Sequence, residues 1–131
     1  MIGLDANVVI RHLTQDDPRQ SPIASSIIEQ RLTEQEPGFI SIVALVEIAW
    51  VLESRYGATT REVADAAEAL VVQDALVVED HEDVVRAIEM VRNDRAEFSD
   101  ALIMLLARRA GCSKTLTFDK RAAKLSGFKL V

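Results

Sequence analysis

The sequence predicts an α/β fold of three layers, in which a central parallel sheet of about five strands is covered by helices on both faces. Short β-branched runs alternate with longer runs of helical periodicity along the chain. The short runs are apolar on both faces, as expected for buried parallel strands, which need crossover helices between them. Hydrophobic residues make up 49% of the 131 residues and no repeat period is visible, so one domain over residues 1–131 is expected.

The first half of the chain reads as strands and helices in alternation. Ile23, Ile27 and Ile28 are spaced as the apolar stripe of a helix. Gly57 follows a long apolar run and is a typical residue for ending a helix. The predicted elements are a strand at 1–4, a helix at 22–32 with Ser21 as its N-cap, a strand at 39–42, and helices at 43–56 and 60–72.

The second half continues this alternation. An acidic segment carries Val84, Ile88 and Val91 at helical spacing. Gly111 follows a strongly apolar helical run and is expected to end it. The predicted elements are a strand at 75–78, helices at 81–92 and 99–109, a strand at 114–118, a short helix at 120–125 and a last strand at 128–131.

Charge is unevenly distributed along the chain. The net charge of -6 opposes binding to nucleic acid, but residues 108–131 carry seven basic side chains and one acidic residue, Asp119. Lys120 and Arg121 directly follow Asp119, so we expect them to guide a phosphate backbone toward this carboxylate. The alternative is a charged face with no role beyond solvation.

The composition argues against several other kinds of chemistry. Cys112 is the sole cysteine, which excludes an internal disulfide and a multi-cysteine zinc site. His12 and His81 lie far apart in the predicted map, so no catalysis is assigned to them. No uncharged apolar segment reaches the length of about 18 residues that a membrane span needs, and the first residues lack the basic lead and cleavage site of a signal peptide, so a cytoplasmic location is expected.

Four carboxylates stand where an ordinary structural role does not fully account for them. Glu47 interrupts the apolar run 42–52, where an isolated charge is costly unless it is protonated, paired, solvated or bound to a metal. Asp5 and Asp119 each follow a predicted strand, and Asp100 lies in the first turn of a predicted helix. Asp100 and Asp119 could equally be helix caps, so spacing alone leaves both roles open.

A common location would make these carboxylates a metal site. If the first strand is central, Asp5 and Asp119 end adjacent strands at the crevice where open α/β sheets bind ligands. Two carboxylates about 5 Å apart repel by roughly 3 kcal/mol at an effective dielectric of about 20, so a cluster of four requires a cation. Oxygen ligands suit Mg²⁺ or Mn²⁺, which activate water for attack on phosphorus. Asn7, Ser99 and Thr117 are candidates for orienting the ligands through hydrogen bonds.

Four motifs carry a family resemblance that spans the chain. They are "LDANVVI", "SIVALVEIAWVL", "FSDALI" and "TLTFDKRAAK", in that order. The chain resembles a PIN domain, and most closely a VapC-type toxin ribonuclease of a toxin–antitoxin system. The resemblance implies that Asp5, Glu47, Asp100 and Asp119 are catalytic residues that hold Mg²⁺ or Mn²⁺. One departure is Ala6, where the family commonly has a hydroxyl residue after the aspartate.

The resemblance also implies a topology, a reaction and partners. It implies a five-stranded sheet in the order 3-2-1-4-5, a homodimer, and a cognate VapB-like antitoxin that covers the cleft. The implied reaction is hydrolysis of an RNA phosphodiester, with tRNA or ribosomal RNA as common targets.

Three alternatives remain open from the sequence. The chain could be a PIN-like nuclease of RNA processing outside a toxin system, or a catalytically inactive PIN-like binding module. The third is a haloacid dehalogenase-like phosphatase, which also has an aspartate after its first strand. That class needs a second aspartate two residues later, where this chain has Asn7.

Overall fold

A computed structural model describes residues 1–94 and 96–131 of the protein. Strands and helices alternate along the chain, as the sequence predicts. In chain order the elements are β1 (Ile2–Gly3), α1 (Ala6–Thr14), α2 (Gln20–Ser26) with a π-helical turn (Ile27–Arg31), β2 (Gly38–Ile40), α3 (Ile42–Tyr56), α4 (Thr60–Val71), β3 (Leu76–Val78), α5 (His81–Asp94), α6 (Phe98–Arg109), β4 (Thr115–Thr117), a 3₁₀ turn (Ala122–Lys124) and β5 (Phe128–Leu130).

All strand pairs found in the described residues are parallel, which confirms the predicted α/β class. β1 pairs with β2 and β2 with β3, whereas β4 pairs with β5 in a separate two-stranded sheet. The expected single five-stranded sheet is therefore not found in the part of the chain that the structure describes. β1 is only two residues long and its pairing is with β2. The order 3-2-1-4-5 would need a join between β1 and β4, and it stays a prediction.

The segment before β2 differs most from the sequence prediction. No element was predicted for α1, although Ala6, Val9 and Ile10 form its buried face. The prediction that Ser21 is an N-cap is wrong, because Ser21 lies buried inside α2. The Oδ1 atom of Asp17 caps this helix instead, accepting the amides of Arg19 and Gln20 at 3.0 and 2.6 Å. The helix therefore begins at Gln20, two residues before the predicted start at Pro22.

The long helices begin and end at residues with recognisable capping chemistry. Gly57 ends α3 with a φ of 65°, a left-handed conformation that glycine adopts without steric cost. Thr59 and Glu62 form a reciprocal capping box at the start of α4. The helices pack around one core, whose largest fully buried side chains include Ile28, Ile40, Leu45, Leu70, Phe98 and Leu102. No helix within residues 1–94 or 96–131 has the length and apolarity needed to span a membrane.

An ion pair between a buried carboxylate and a half-exposed arginine connects the start of α5 to the end of α6. Asp83 is 3% exposed, and its Oδ2 accepts a hydrogen bond from Arg109 Nε at 2.6 Å. That hydrogen bond is the main cause of the raised pKa of Arg109. Arg109 therefore compensates a carboxylate that would otherwise be buried without a partner.

We expect Arg109→Met to lower the midpoint of thermal unfolding by about 5 to 10 °C, because it leaves the Asp83 carboxylate buried and unpaired. Arg108→Met is the matched control, since Arg108 is the exposed neighbour and forms no ion pair with Asp83 in the described residues. Thermal denaturation followed by circular dichroism measures both. Equal midpoints for the two variants would contradict a stabilising role of the pair.

Candidate functional site

Asp5 stands directly after β1, at the start of α1. The Leu4 amide donates to the Phe39 carbonyl at 2.8 Å, so the pairing with β2 continues up to Asp5. Asp5 is the N-cap of α1, and its carbonyl accepts the amide of Val8 at 3.1 Å, yet its side chain makes no capping hydrogen bond. An aspartate at this position usually binds a helix amide. Here the carboxylate is exposed and its capping role is unused, so it is available to a ligand.

Two other polar residues share this end of the three-stranded sheet, and both are used structurally. Ser41 follows β2, and its hydroxyl accepts the amide of Ala44 at 3.1 Å. Glu79 follows β3, and its Oε1 accepts the amide of Ile42 at 2.8 Å. Both side chains therefore cap the first turn of α3. Glu79 was not among the predicted residues, although an acidic residue directly after a predicted strand is a visible signal.

Glu47 lies on an exposed face of α3. Val43 and Trp50, one turn to either side of it, are 78% and 61% exposed. The apolar run 42–52 is therefore not buried on this side, because α3 packs with only part of its apolar surface against the core. Glu47 reaches solvent, which is one of the alternatives that the sequence left open, and among the described residues it forms no ion pair.

Asp100 lies in a group of carboxylates around the first turn of α6. Its pKa is raised by burial and, next, by the negative charges of Glu97 and Asp119, while Arg121 acts in the opposite direction. The pKa of Glu53 is likewise raised by burial, then by Glu97 and Asp100. We call Glu53, Glu97, Asp100 and Asp119 the α6 carboxylate group. The charge of Asp119 thus acts on Asp100 from a distant part of the sequence.

Glu53 and Glu97 are members of this group that the sequence analysis missed. Glu97 is the N-cap of α6 and makes no capping hydrogen bond with its side chain. Its signal was its position three residues before Asp100, which places both on one helical face. Glu53 gave no such signal, because only the packing of α3 against α6 brings it close to Asp100.

Asp119 is held in place by the backbone that follows it. Its Oδ1 accepts the amides of Arg121 at 2.7 Å and Ala122 at 3.3 Å, so the predicted capping alternative is correct for this residue. Thr117 orients the turn, because its hydroxyl accepts the Asp119 amide at 3.0 Å. Asn7 and Ser99, the other two residues predicted to orient ligands, form no side-chain hydrogen bond in the described part of the chain.

Arg121 is a cation that interacts with several members of the α6 carboxylate group. Its Nη1 lies 3.1 Å from Glu97 Oε1. Its charge also opposes the rise in the pKa of both Asp100 and Glu53. Lys120, its neighbour, is exposed. One of the two residues predicted to guide a phosphate backbone is therefore already paired with a carboxylate.

A model of the PIN domain family matches residues 2–127. The chain belongs to the PIN domain family. PIN domains are generally nucleases, so membership indicates a nuclease-type function, that of a hydrolase acting on nucleic acid. Among curated proteins, none matches this sequence.

PIN domains typically use divalent metal ions, and the donor atoms of this one suit such an ion. All the predicted ligands are carboxylates, which hard cations prefer. A bound cation would offset the burial and the repulsion that raise the pKa of Asp100. Within residues 1–94 and 96–131, however, no three acidic, histidine or cysteine side chains are arranged as a ready-made metal site. The structure thus associates Asp100 with Asp119, whereas the predicted approach of Asp5 and Glu47 to them stays a prediction.

Proposed function

We propose that this PIN domain is a Mg²⁺- or Mn²⁺-dependent endoribonuclease. The observation that carries the proposal is the α6 carboxylate group, in which burial and like charges raise the pKa of Asp100 beside Asp119. Carboxylates gathered at an energetic cost are typical of functional sites. Membership in a family of nucleases explains why such carboxylates would be retained, because in the proposed hydrolysis of a phosphodiester they hold a cation that activates water.

In this proposal Asp5, Glu47, Asp100 and Asp119 hold the metal. When bound, such an ion supplies Lewis-acid chemistry, which activates water and neutralises charge on the phosphate. Asp5 contributes a carboxylate that no helix amide occupies. Asp119 contributes a carboxylate whose position is fixed by the amides of Arg121 and Ala122. Asp100 contributes negative charge from a half-buried position, where it is screened less by water.

Lys120 and Arg121 supply positive charge for the RNA backbone. They follow Asp119 directly, so cations that bind a phosphate would lie beside a proposed metal ligand. Their attraction for phosphate is independent of base sequence, which suits positioning rather than recognition. By resemblance to VapC-type ribonucleases, we propose tRNA or ribosomal RNA as the substrate.

We further propose that the protein is the toxin of a VapBC-type pair and acts in the cytoplasm as a homodimer. The four motifs support this assignment. Val43 and Trp50, exposed beside Glu47, support a protein partner that covers apolar surface next to the site. Expression of the chain in bacteria should arrest growth, and co-expression of a small DNA-binding protein encoded beside its gene should relieve the arrest. Undisturbed growth would favour a nuclease of RNA processing.

The purified protein should cleave RNA with Mg²⁺ or Mn²⁺ and should lose this activity in EDTA, because the proposed reaction uses a bound cation to activate water and to neutralise charge on the phosphate. Gel electrophoresis of a labelled tRNA and ribosomal RNA measures the products. Internal cuts would identify an endonuclease. Cleavage that persists unchanged in EDTA would contradict the metal, and binding of RNA without cleavage under every metal condition would favour an inactive binding module.

A further inference from the structure

A cavity of about 590 Å³ lies beside the first turn of α6. Its volume is in the range of sites that take small molecules or single nucleotides. The end of α5 and the start of α6 contribute Asp94, Glu97 and Asp100 to its lining, and the segment after β4 contributes Arg121 and Lys124. The cavity therefore combines cations from one segment with carboxylates from two helices, including the proposed metal ligand Asp100.

The ion pair between Arg121 and Glu97 in this cavity is weak enough for another anion to replace Glu97. The side chains of Arg121 and Glu97 are 59% and 40% exposed, so water and salt weaken their attraction. The backbone of Arg121 is fixed, because its amide donates to Asp119 Oδ1 at 2.7 Å. The guanidinium can thus change partners without movement of the main chain. A phosphate offers the guanidinium the same two-point geometry that a carboxylate offers.

Lys124 gives the cavity a second cation with no carboxylate partner in the described part of the chain. It ends the 3₁₀ turn that follows Asp119, three residues after Arg121. Three residues per turn place side chains three apart on the same side of a 3₁₀ helix. Arg121 and Lys124 can therefore contact one phosphate group together.

We propose that this cavity is a phosphate subsite for a nucleic-acid substrate, in which Lys124 and Arg121 bind one phosphate and Glu97 holds Arg121 until that phosphate displaces it. The inference rests on the proposed function and deepens it, since it adds Lys124 as a substrate-binding residue and Glu97 as a positioning residue. Neither is part of the proposed metal site. The subsite would place a phosphate of the RNA next to Asp100.

The first test compares two lysines in binding to a short single-stranded RNA of mixed sequence, measured by fluorescence anisotropy in EDTA over a series of KCl concentrations. Lys124→Gln should weaken binding roughly fivefold, the scale of one well-formed exposed ion pair. It should also reduce the slope of log affinity against log salt by about 0.7, the loss of one phosphate contact to a single strand. Lys129→Gln is the matched control, because Lys129 is exposed on β5 outside the cavity lining.

The second test is a double-mutant cycle in the same assay. Glu97→Gln should tighten binding several-fold more than Asp94→Asn does, because both remove a negative charge from the cavity and only Glu97 holds Arg121. This excess should disappear when Arg121→Gln is also present. An excess that survives in the Arg121→Gln background would mean that Glu97 acts only as a general negative charge, and would overturn its positioning role.

The outcomes separate the subsite from the proposed reaction. Equal affinities and salt slopes for Lys124→Gln and Lys129→Gln would overturn the subsite, as would an absence of RNA binding by the unaltered protein in EDTA. Either result leaves the metal-dependent cleavage assay to decide the proposed function. Conversely, loss of cleavage in Asp100→Asn with all predicted binding differences intact would support both independently.

Discussion

Asp100→Asn is expected to lower metal-dependent RNA cleavage by about 10²- to 10³-fold, the range found when one electrostatic stabiliser is removed from an active site. Asparagine keeps the size of the side chain but removes the charge that would hold a cation beside Asp119. Single-turnover cleavage of a labelled RNA at saturating Mg²⁺ measures the effect. Cleavage within a few-fold of the unaltered protein would show that Asp100 is not a metal ligand.

The same substitution should leave the fold intact and make the metal-free protein slightly more stable at neutral pH. Folding raises the pKa of Asp100, so its contribution to stability is present below the unfolded pKa and is lost as pH rises through the folded pKa. At neutral pH the ionised carboxylate is therefore a net cost. We expect a gain of at most about 0.5 kcal/mol in the free energy of unfolding in EDTA, because the group is only half-buried. A marked loss of stability would instead assign Asp100 a structural role.

Asp5→Asn is expected to reduce cleavage by a similar 10²- to 10³-fold, since it removes a charge from a carboxylate that has no capping role. The free energy of unfolding should change by less than about 0.5 kcal/mol, because the side chain is exposed and accepts no helix amide. The two measurements together distinguish a functional aspartate from a structural one.

Asp17→Ala provides the matched comparison at another helix start. Asp17 accepts the amides of Arg19 and Gln20, so its loss should lower the unfolding midpoint by about 3 to 5 °C. Cleavage measured well below that midpoint should be unchanged. If Asp5→Asn lowered stability as Asp17→Ala does and left cleavage intact, Asp5 would be an ordinary cap and the proposed metal site would lose a ligand.

Much of the fold could be predicted because periodicity and capping are local properties. The bounds of α3 to α6 differ from the predicted helices by at most two residues, and Gly57 ends α3 as expected. The error at Ser21 arose because another capping residue, Asp17, lies four residues earlier, and its carboxylate accepts the amides at the helix start. Sheet order depends on pairing between distant segments, and nothing in the sequence of a two-residue strand such as β1 specifies its neighbours.

The candidate site was predictable only where a motif marks the residue. Asp100 and Asp119 were predicted from their positions at a helix start and after a strand. In the structure the charge of Asp119 contributes to the raised pKa of Asp100. Glu53 could not be selected, because its neighbours come from another helix and its own helix offers no pattern that distinguishes it. The Arg121–Glu97 pair was missed for the same reason, since an exposed arginine and an exposed glutamate 24 residues apart are common in any chain.

The two side chains that cap α3 limit how the proposed site can adjust. The side chain of Glu79 accepts the first amide of α3, and its own amide donates to the Ile40 carbonyl at 2.9 Å. Glu79 therefore binds the backbone on both sides of the turn between β2 and α3. The start of α3 is therefore fixed by hydrogen bonds, so Glu47 can change its position mainly by rotation about its side-chain bonds. A cation or an RNA phosphate that binds Glu47 must therefore approach it, because α3 does not shift toward the ligand. After β4, by contrast, the side chain of Arg121 can adjust, because its ion pair with Glu97 is exposed while its backbone amide is bound by Asp119.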